Sequence, residues 1–391
     1  MKKIIFYVTL MLCSILHSCN NKPQLSYSEV TSIKLDFDKE MKSIHDVNLI
    51  KDVDIISLDC DEVIIGEIDK IIKFDTIIYL MDKNQNKSIY LYNIEGAFLR
   101  SISNYGSGPE EFAQLTDMFI DPIDSSLNIL SRFDKKVLKY DLRGEKLRLI
   151  KKTPKTFTSM NKMNESYSGY MGNYSEDFKK PYNLWLLSKN LEPISNFFKI
   201  DKIWESRSHG SYYPFSKYKD KHYYTTPMDY NIYLISNDDV QSKYNFDLNK
   251  MEWPKDMDIN KITEQERLVL YNNYIYGFFN FQETEQHLVA NFLYKGQYLM
   301  CVYDKDRKEA DIVTLEPYSE KYFFPFGKII SFNENTIFAL NESEHIYRMW
   351  KGKDEYNNFE EKFPTQVKNL REKFNIIRED GNPFLIMYSI N

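Results

Sequence analysis

Tyr92-Asn93-Ile94-Glu95-Gly96-Ala97-Phe98-Leu99-Arg100 and Tyr140-Asp141-Leu142-Arg143-Gly144-Glu145-Lys146-Leu147-Arg148 repeat one pattern at an offset of 48 residues. Tyr, Gly, Leu and Arg recur in place. Each copy reads as a strand, a polar turn ending in Gly and a second strand, which is a β-hairpin. A further short strand precedes each, over 76–81 and 126–130. Fainter copies follow. Strand pairs are expected at 184–187 with 194–200, at 232–235 with 240–246, and at 299–303 with 310–315. The last spacing is longer because 251–275 intervenes, where 261–271 reads as a short inserted helix.

A period near 48 with about four short strands per unit is a pattern of propeller blades. A lone four-stranded blade cannot bury both faces. Radial packing buries them against neighbours and leaves short edges. Five hairpins are visible, and a sixth sheet can be assembled from 327–332, 336–340 and 384–388. Its fourth strand is expected from the N-terminal side, 53–58, which closes the ring. Phe384, Ile386 and Tyr388 alternate with Leu385 and Met387, so that strand is apolar on both faces. The expected class is therefore all-β, a six-bladed β-propeller over 35–391 with a small helical insertion. Residues 343–350 and 360–373 read as helical and are expected to cover the last blade.

Composition agrees. Of 391 residues, 42% are hydrophobic, and 30 Tyr with 26 Phe favour strands. The balance of 51 basic to 57 acidic residues leaves no cationic footprint for nucleic acid.

The first 18 residues read as an address. Lys2 and Lys3 precede an apolar run over 4–16, too short to span a bilayer and suited to a signal-peptide core. It ends in Leu16-His17-Ser18-Cys19, which resembles a bacterial lipobox, with His17 where a small residue is usual. The resemblance implies that Cys19 carries lipid and becomes the mature N-terminus. Residues 19–34 then read as a tether. Loss of Lys2 and Lys3 takes the formal charge from −6 to −8. Asn20-Asn21-Lys22 lacks an acidic run that would mark surface export, so the expected site is the cell envelope, at the outer membrane, with the leaflet open. Cys60 and Cys301 are expected as two separate thiols.

The leader, "YNIEGAFLRSI", "NYGSGPEEF" and the terminal "REDGNPFLIMYSI" together resemble the six-bladed β-propeller lipoproteins of Gram-negative bacteria, related in fold to TolB-like and NHL-repeat propellers. Gly381 separates the acid from Asn382-Pro383, where the family pattern has them adjacent. The resemblance implies fold and envelope location, and no chemistry.

Candidate sites are few. Tyr105-Gly106-Ser107-Gly108-Pro109-Glu110-Glu111-Phe112 joins the first blade to the second. It lacks the Lys and following helix of a phosphate loop. Gly106 and Gly108 are expected in turn conformations that favour glycine, with Phe112 wedged between blades. Glu110 and Glu111 are candidate ligand contacts near a channel mouth. His209, Tyr212 and Tyr213 form a second candidate, since aromatics in a loop suit a sugar or peptide. Asp61, Glu62, Asp69, Asp82, Asp117, Asp121 and Asp124 are scattered, without calcium-loop spacing. Neither Gly-x-Ser-x-Gly nor a histidine pair at metal spacing is present, so no catalytic residue, metal or cofactor is assigned. Two functions stay open. One is a lipid-tethered binding module for an envelope protein or glycan, with no nucleic-acid partner. The other is a metal-dependent hydrolase or lyase of lactonase type with a channel site. The first is favoured because no convergent catalytic set is visible.

Overall fold

The repeated hairpin has a chemical cause at its turn. In the computed structural model, Asn93 Oδ1 accepts the N–H of Glu95 at 3.1 Å and of Ala97 at 2.8 Å, and Gly96 closes the turn at φ 89°. In the second copy Asp141 Oδ1 accepts the Glu145 N–H at 2.9 Å, with Gly144 at φ 66°. The third copy uses Ser188 Oγ, which accepts from Asn190 and Glu192 at 3.2 Å, and places Leu191 at φ 66°. In the fifth, Asp304 Oδ1 serves Asp306 and Arg307, and Lys308 takes φ 56°. In these four copies an oxygen-bearing side chain opens the turn and a left-handed residue ends it. Only the first two copies use Gly, which is why the motif fades along the chain.

The structure describes residues 26–44, 46–176, 181–202, 213–254, 257, 261–315, 327–344, 347–348, 361 and 378–391. The chain is a six-bladed β-propeller, with each blade an antiparallel meander from an inner to an outer strand. Blade 1 comprises β4 (Lys70–Phe74), β5 (Ile77–Asp82), β6 (Ser88–Asn93) and β7 (Phe98–Ile102). Blade 2 comprises β8 (Leu115–Asp121), β9 (Ser126–Ser131), β10 (Lys136–Asp141) and β11 (Leu147–Lys152). Blade 3 is β12 (Ser159–Lys162), β13 (Tyr167–Tyr170), β14 (Tyr182–Leu187) and β15 (Pro193–Lys199). Blade 4 is β16 (Phe215–Tyr218), β17 (Lys221–Tyr224), β18 (Asn231–Ile235) and β19 (Val240–Asp247). Blade 5 is β20 (Phe279–Glu283), β21 (His287–Tyr294), β22 (Gln297–Asp304) and β23 (Glu309–Thr314).

Blade 6 closes the ring as the sequence predicts. Its inner strands are β24 (Lys328–Asn333) and β25 (Thr336–Asn341), followed by the terminal β26 (Phe384–Ile390) and, outermost, β3 (Ile50–Ser57). Phe384 pairs with Ser57 and Tyr388 with Val53, antiparallel. Residues 384–388 are buried on both faces.

One boundary moves. Part of the expected tether, β1 (Ser26–Lys34), is a fifth strand on blade 4, parallel to β19. A short β2 (Lys42–Ser43) likewise pairs in parallel with β23 on blade 5. The N-terminal arm thus covers two outer edges that would otherwise present unpaired backbone. The inserted helix α1 (Glu264–Asn273) starts at a capping box, with the Thr263 hydroxyl accepting from Glu266 N–H and the Glu266 carboxylate accepting from Thr263 N–H at 2.7 Å. The helical cover expected over 343–350 and 360–373 lies almost wholly outside the described residues.

The core is a ring of wedges. Buried apolar clusters fill every junction between neighbouring blades, such as Tyr79, Leu91, Phe112, Met118 and Ile129 between blades 1 and 2. Apolar burial dominates stability here, and a wedge needs both neighbours. Among the described residues no helix is long and apolar enough to cross a membrane.

Candidate functional site

All innermost strands run the same way, so each blade's first and third turns lie on one rim. The second turns and the blade-to-blade loops lie on the other. Between them the inner strands enclose a central cavity of about 750 Å³, a size suited to a small molecule. Its polar lining is unequal in charge. Lys70, Lys73, Lys162, Lys217 and Lys219 face it, against Asp75, Glu285 and Glu334.

The inner-strand carboxylates are drawn into the blade junctions instead. Asp117 is fully buried and accepts from Lys70 Nζ at 2.6 Å, Ser159 Oγ at 2.7 Å and Met160 N–H at 3.0 Å, joining blades 1, 2 and 3. Glu283 accepts from Lys305 Nζ at 2.8 Å and from the Tyr223 hydroxyl, joining blades 4 and 5. Burial pushes the Glu283 carboxyl up, but Lys305 and the Tyr223 hydroxyl outweigh it and hold it below the usual range. Among the described residues no three of His, Cys, Asp and Glu are arranged to hold a metal ion.

Between blades 3 and 4, Asn161 Nδ2 lies 3.2 Å from His222 Nδ1. That contact assigns the ring proton to Nε2, which is buried without a partner. Burial, with the Lys217 and Lys162 charges adding to it, pushes the His222 imidazole down to about 4. The ring is therefore neutral at pH 7. His222 read in the sequence as one isolated histidine among several; only strand pairing puts it behind two lysines.

The sequence candidates separate. Glu111 Oε2 accepts the Gly108 N–H at 2.7 Å and closes its own loop. Gly106 and Gly108 are not in the left-handed region. Both lie against the Glu111 side chain, and a Cβ on Gly106 would meet Glu111 Oε2 at 2.0 Å and displace that carboxylate. Phe112 does wedge between blades 1 and 2, fully buried. Glu110 is exposed on the loop rim. Tyr213 is half-buried at the cavity wall with Lys70 Nζ 4.6 Å above its ring, and its hydroxyl is buried without a partner. His209, Tyr212 and the lipidation candidate Cys19 lie outside the described residues. Cys60 and Cys301 are free thiols.

A second surface was not legible in advance. On the loop rim, Tyr105 is 51% exposed, Phe133 69% and Tyr174 42%. Tyr105 belongs to the loop between blades 1 and 2, Phe133 to the second turn of blade 2 and Tyr174 to the corresponding loop of blade 3. Their supports interlock. Asp134 Oδ2 accepts the Ala113 N–H and the Ser131 hydroxyl at 2.8 Å, fastening the Phe133 turn to the Tyr105 loop. Lys135 bridges to Glu176 at 3.0 Å, fastening that turn to the Tyr174 loop. Lys87 sits 4.0 Å from the Tyr105 ring centre and Arg132 4.9 Å from that of Tyr174. The available sequence signal was a Phe between polar residues in a turn, Arg132-Phe133-Asp134, where burial offers no reason for it.

The profile of the family described as "Domain of unknown function (DUF4934)" matches residues 29–389. The chain belongs to the DUF4934 family. A crystal structure from Bacteroides fragilis NCTC 9343, of a protein provisionally described as exported, superposes with a TM-score of 0.70 at 17% identity, covering 93% of this DUF4934 chain and all of the other. That likeness supports the propeller fold alone. A DUF4221-family protein from Bacteroides vulgatus ATCC 8482 aligns with a TM-score of 0.49 at 12% identity, covering 88% of this chain and 97% of the other. No functionally curated protein matches.

Proposed function

We propose that this DUF4934 protein is an exported, lipid-anchored binding module whose loop rim recognises a protein or glycan of the cell envelope without chemical turnover. The observation that carries this reading is the braced group of exposed rings at Tyr105, Phe133 and Tyr174. Exposed aromatics on a rigid frame give contact area at low entropy cost. Glu110 lies on the same rim and would contribute a polar contact there.

Export and anchoring are supported by the leader, by Cys19 at its end, and by the provisional description of the B. fragilis protein as exported. The fold adds an orientation. Because β1 runs parallel to β19, Ser26 starts at the rim opposite the aromatic one. Six residues separate it from Cys19, seven steps of the chain and a reach of at most about 25 Å. The anchor would therefore hold the turn rim towards the membrane and the aromatic rim away from it.

The test is recovery of a partner from envelope extract on the immobilised protein, with a glycan array run in parallel. A combined Tyr105→Ala, Phe133→Ala and Tyr174→Ala variant should lose the partner while melting as the parent does. Calcium-dependent hydrolysis of lactones or esters by the pure protein, abolished by chelator, would overturn the reading.

A further inference from the structure

We propose that the turn between β5 and β6 binds a calcium ion on the loop rim, through the carboxylates of Asp82 and Asp69 and the amide oxygen of Gln85. None of these residues lines the central cavity, and the site does not depend on the function proposed for the aromatic rim.

Asp82 is fully buried at the end of β5, yet only one of its oxygens is hydrogen-bonded. Its Oδ1 accepts the Gln85 N–H at 2.9 Å. Its Oδ2 is buried with no hydrogen-bond partner among the described residues. Leaving a buried carboxylate oxygen in that state is costly. What faces it is a second acceptor. On Gly66, in the loop from blade 6 to blade 1, a Cβ would stand 2.3 Å from Asp82 Oδ2 and 2.7 Å from Gln85 Oε1. The two oxygens are thus within about 5 Å of each other, the span of two ligands across one calcium ion at about 2.3–2.6 Å each. A cation joins two acceptors where a hydrogen bond cannot.

Negative charge gathers at the same point. The register Lys70↔Met81 sets Asp69 opposite Asp82 on the neighbouring strand, a placement that like charges disfavour. Burial pushes the Asp82 carboxyl up, and the Asp69 charge adds to this against the N–H groups of the turn. Lys83 answers Asp69: its Nζ lies 3.4 Å from Asp69 Oδ1, and its N–H donates to Asp69 Oδ2 at 3.0 Å. Lys87, the other lysine of the turn, lies over the Tyr105 ring, 4.0 Å from its centre. Asp82 itself has no ion pair within 4.0 Å among the described residues.

The turn carries further oxygens. Asp82-Lys83-Asn84-Gln85-Asn86-Lys87 sets oxygen-bearing side chains at the first, third and fifth positions of a calcium loop. At the sixth, where such loops have glycine, Lys87 is left-handed at φ 51°. Asn84 and Asn86 are amides, so the carboxylate pattern alone conceals the loop. Asn93 stands where the full loop has its closing glutamate, and Asp69 supplies the second carboxylate instead. Asn86 Nδ2 donates to the Ile64 carbonyl at 3.2 Å and Asn84 Nδ2 to Asp69 Oδ1 at 3.3 Å, which ties the turn to the blade 6–1 loop. Asn84, Gln85 and Asn86 are exposed, so an ion can enter from solvent. Hard oxygens without His or Cys suit calcium rather than zinc. With two carboxylates the affinity should fall in the weak class of extracellular modules, a Kd of about 0.1–1 mM.

The probe is calcium chloride, titrated calorimetrically into the chelator-treated full mature chain, with thermal unfolding followed in parallel. Both readouts are independent of partner capture. Calcium should bind and raise the melting temperature, and magnesium should bind more weakly. Asp82→Asn should lose about tenfold or more in affinity. Gln85→Lys, on an exposed turn, sets an ammonium group beside Asp82 and should abolish calcium binding and the thermal response in a folded chain. If Asp82→Asn does not fold, Gln85→Lys decides. No binding at about 10 mM calcium, well above the expected Kd, would overturn the proposal. Equal binding of magnesium, or undiminished binding by Gln85→Lys, would overturn it as well.

Discussion

Asn382 Oδ1 accepts the backbone N–H of Ile65 at 2.8 Å, although the two residues are 317 positions apart. The same amide donates through Nδ2 to the carbonyls of Asp59 at 2.7 Å and Val63 at 2.8 Å. One buried side chain therefore supplies three backbone groups of the loop between blade 6 and blade 1. It does so at the entry to β26, where the ring closes. The Asn-Pro element of the C-terminal motif is a clasp, with Pro383 steering the chain into the strand.

Replacing Asn382 with Ala should unfasten the clasp. It strands one N–H and two carbonyls in a buried setting, and unmade buried bonds cost about 1–3 kcal/mol each before relaxation. We expect a net loss of about 2–4 kcal/mol in denaturant unfolding. An unchanged midpoint would show that water replaces the amide at no cost.

Gly96 and Gly296 offer a matched comparison. Both are left-handed, at φ 89° and 73°. A Cβ on Gly96 would stand 2.1 Å from the Ser57 carbonyl oxygen, whereas the nearest atom to one on Gly296 is 3.9 Å away. Gly296→Ala should cost about 1 kcal/mol, the backbone penalty alone. Gly96→Ala should cost about 3 kcal/mol, because blade 6 must also shift. Equal losses in thermal unfolding would refute the steric part.

Acid should weaken the junction of blades 4 and 5. The Glu283 carboxyl is held below its ordinary value of 4.5 by Lys305 and Tyr223, against its burial. A depressed folded-state pKa means that the stabilisation is present above the unfolded value and is lost as pH falls through the folded one. Parent stability should thus decline below about pH 4.5. Glu283→Gln should be about 3 kcal/mol less stable at pH 7, with a shallower acid decline. The measurement is a denaturation midpoint at several pH values, and parallel pH curves for parent and variant would count against the assignment.

Cys19→Ala should move the protein from the membrane to the soluble envelope fraction. Retention of the variant in the membrane fraction would contradict the lipid anchor.

Deleting 382–391 should be the most damaging change. It removes β26 and the clasp together, and leaves β3 without a partner and β25 with one open edge. Aggregation or proteolysis is expected, and a truncated chain that melts like the parent would show that closure does not need this segment.

Much of the fold was legible because its information is local. Tyr-Asn-Ile-Glu-Gly in one copy and Tyr-Asp-Leu-Arg-Gly in the next encode the same turn through one side-chain oxygen and one left-handed residue. Residues 384–388, apolar on both faces, suit a strand buried between two others. The two-residue alternation and the period near 48 are likewise properties of neighbours in the chain.

What stayed hidden depends on elements distant in sequence. Residues 26–34 carry no mark of their partner, because a parallel edge strand gains its hydrogen bonds from β19, more than 200 positions away. Glu111 read as a free carboxylate until its loop folded back on Gly108. Asp117 and Lys162 are both charged residues on inner strands, and sequence treats them alike. Tertiary packing turns the first into a junction beside Lys70 and leaves the second facing the cavity. Local backbone preference determines that this chain makes blades. Which charges are cancelled and which stay open is decided only when the ring closes, because electrostatic neutralisation depends on distance in space.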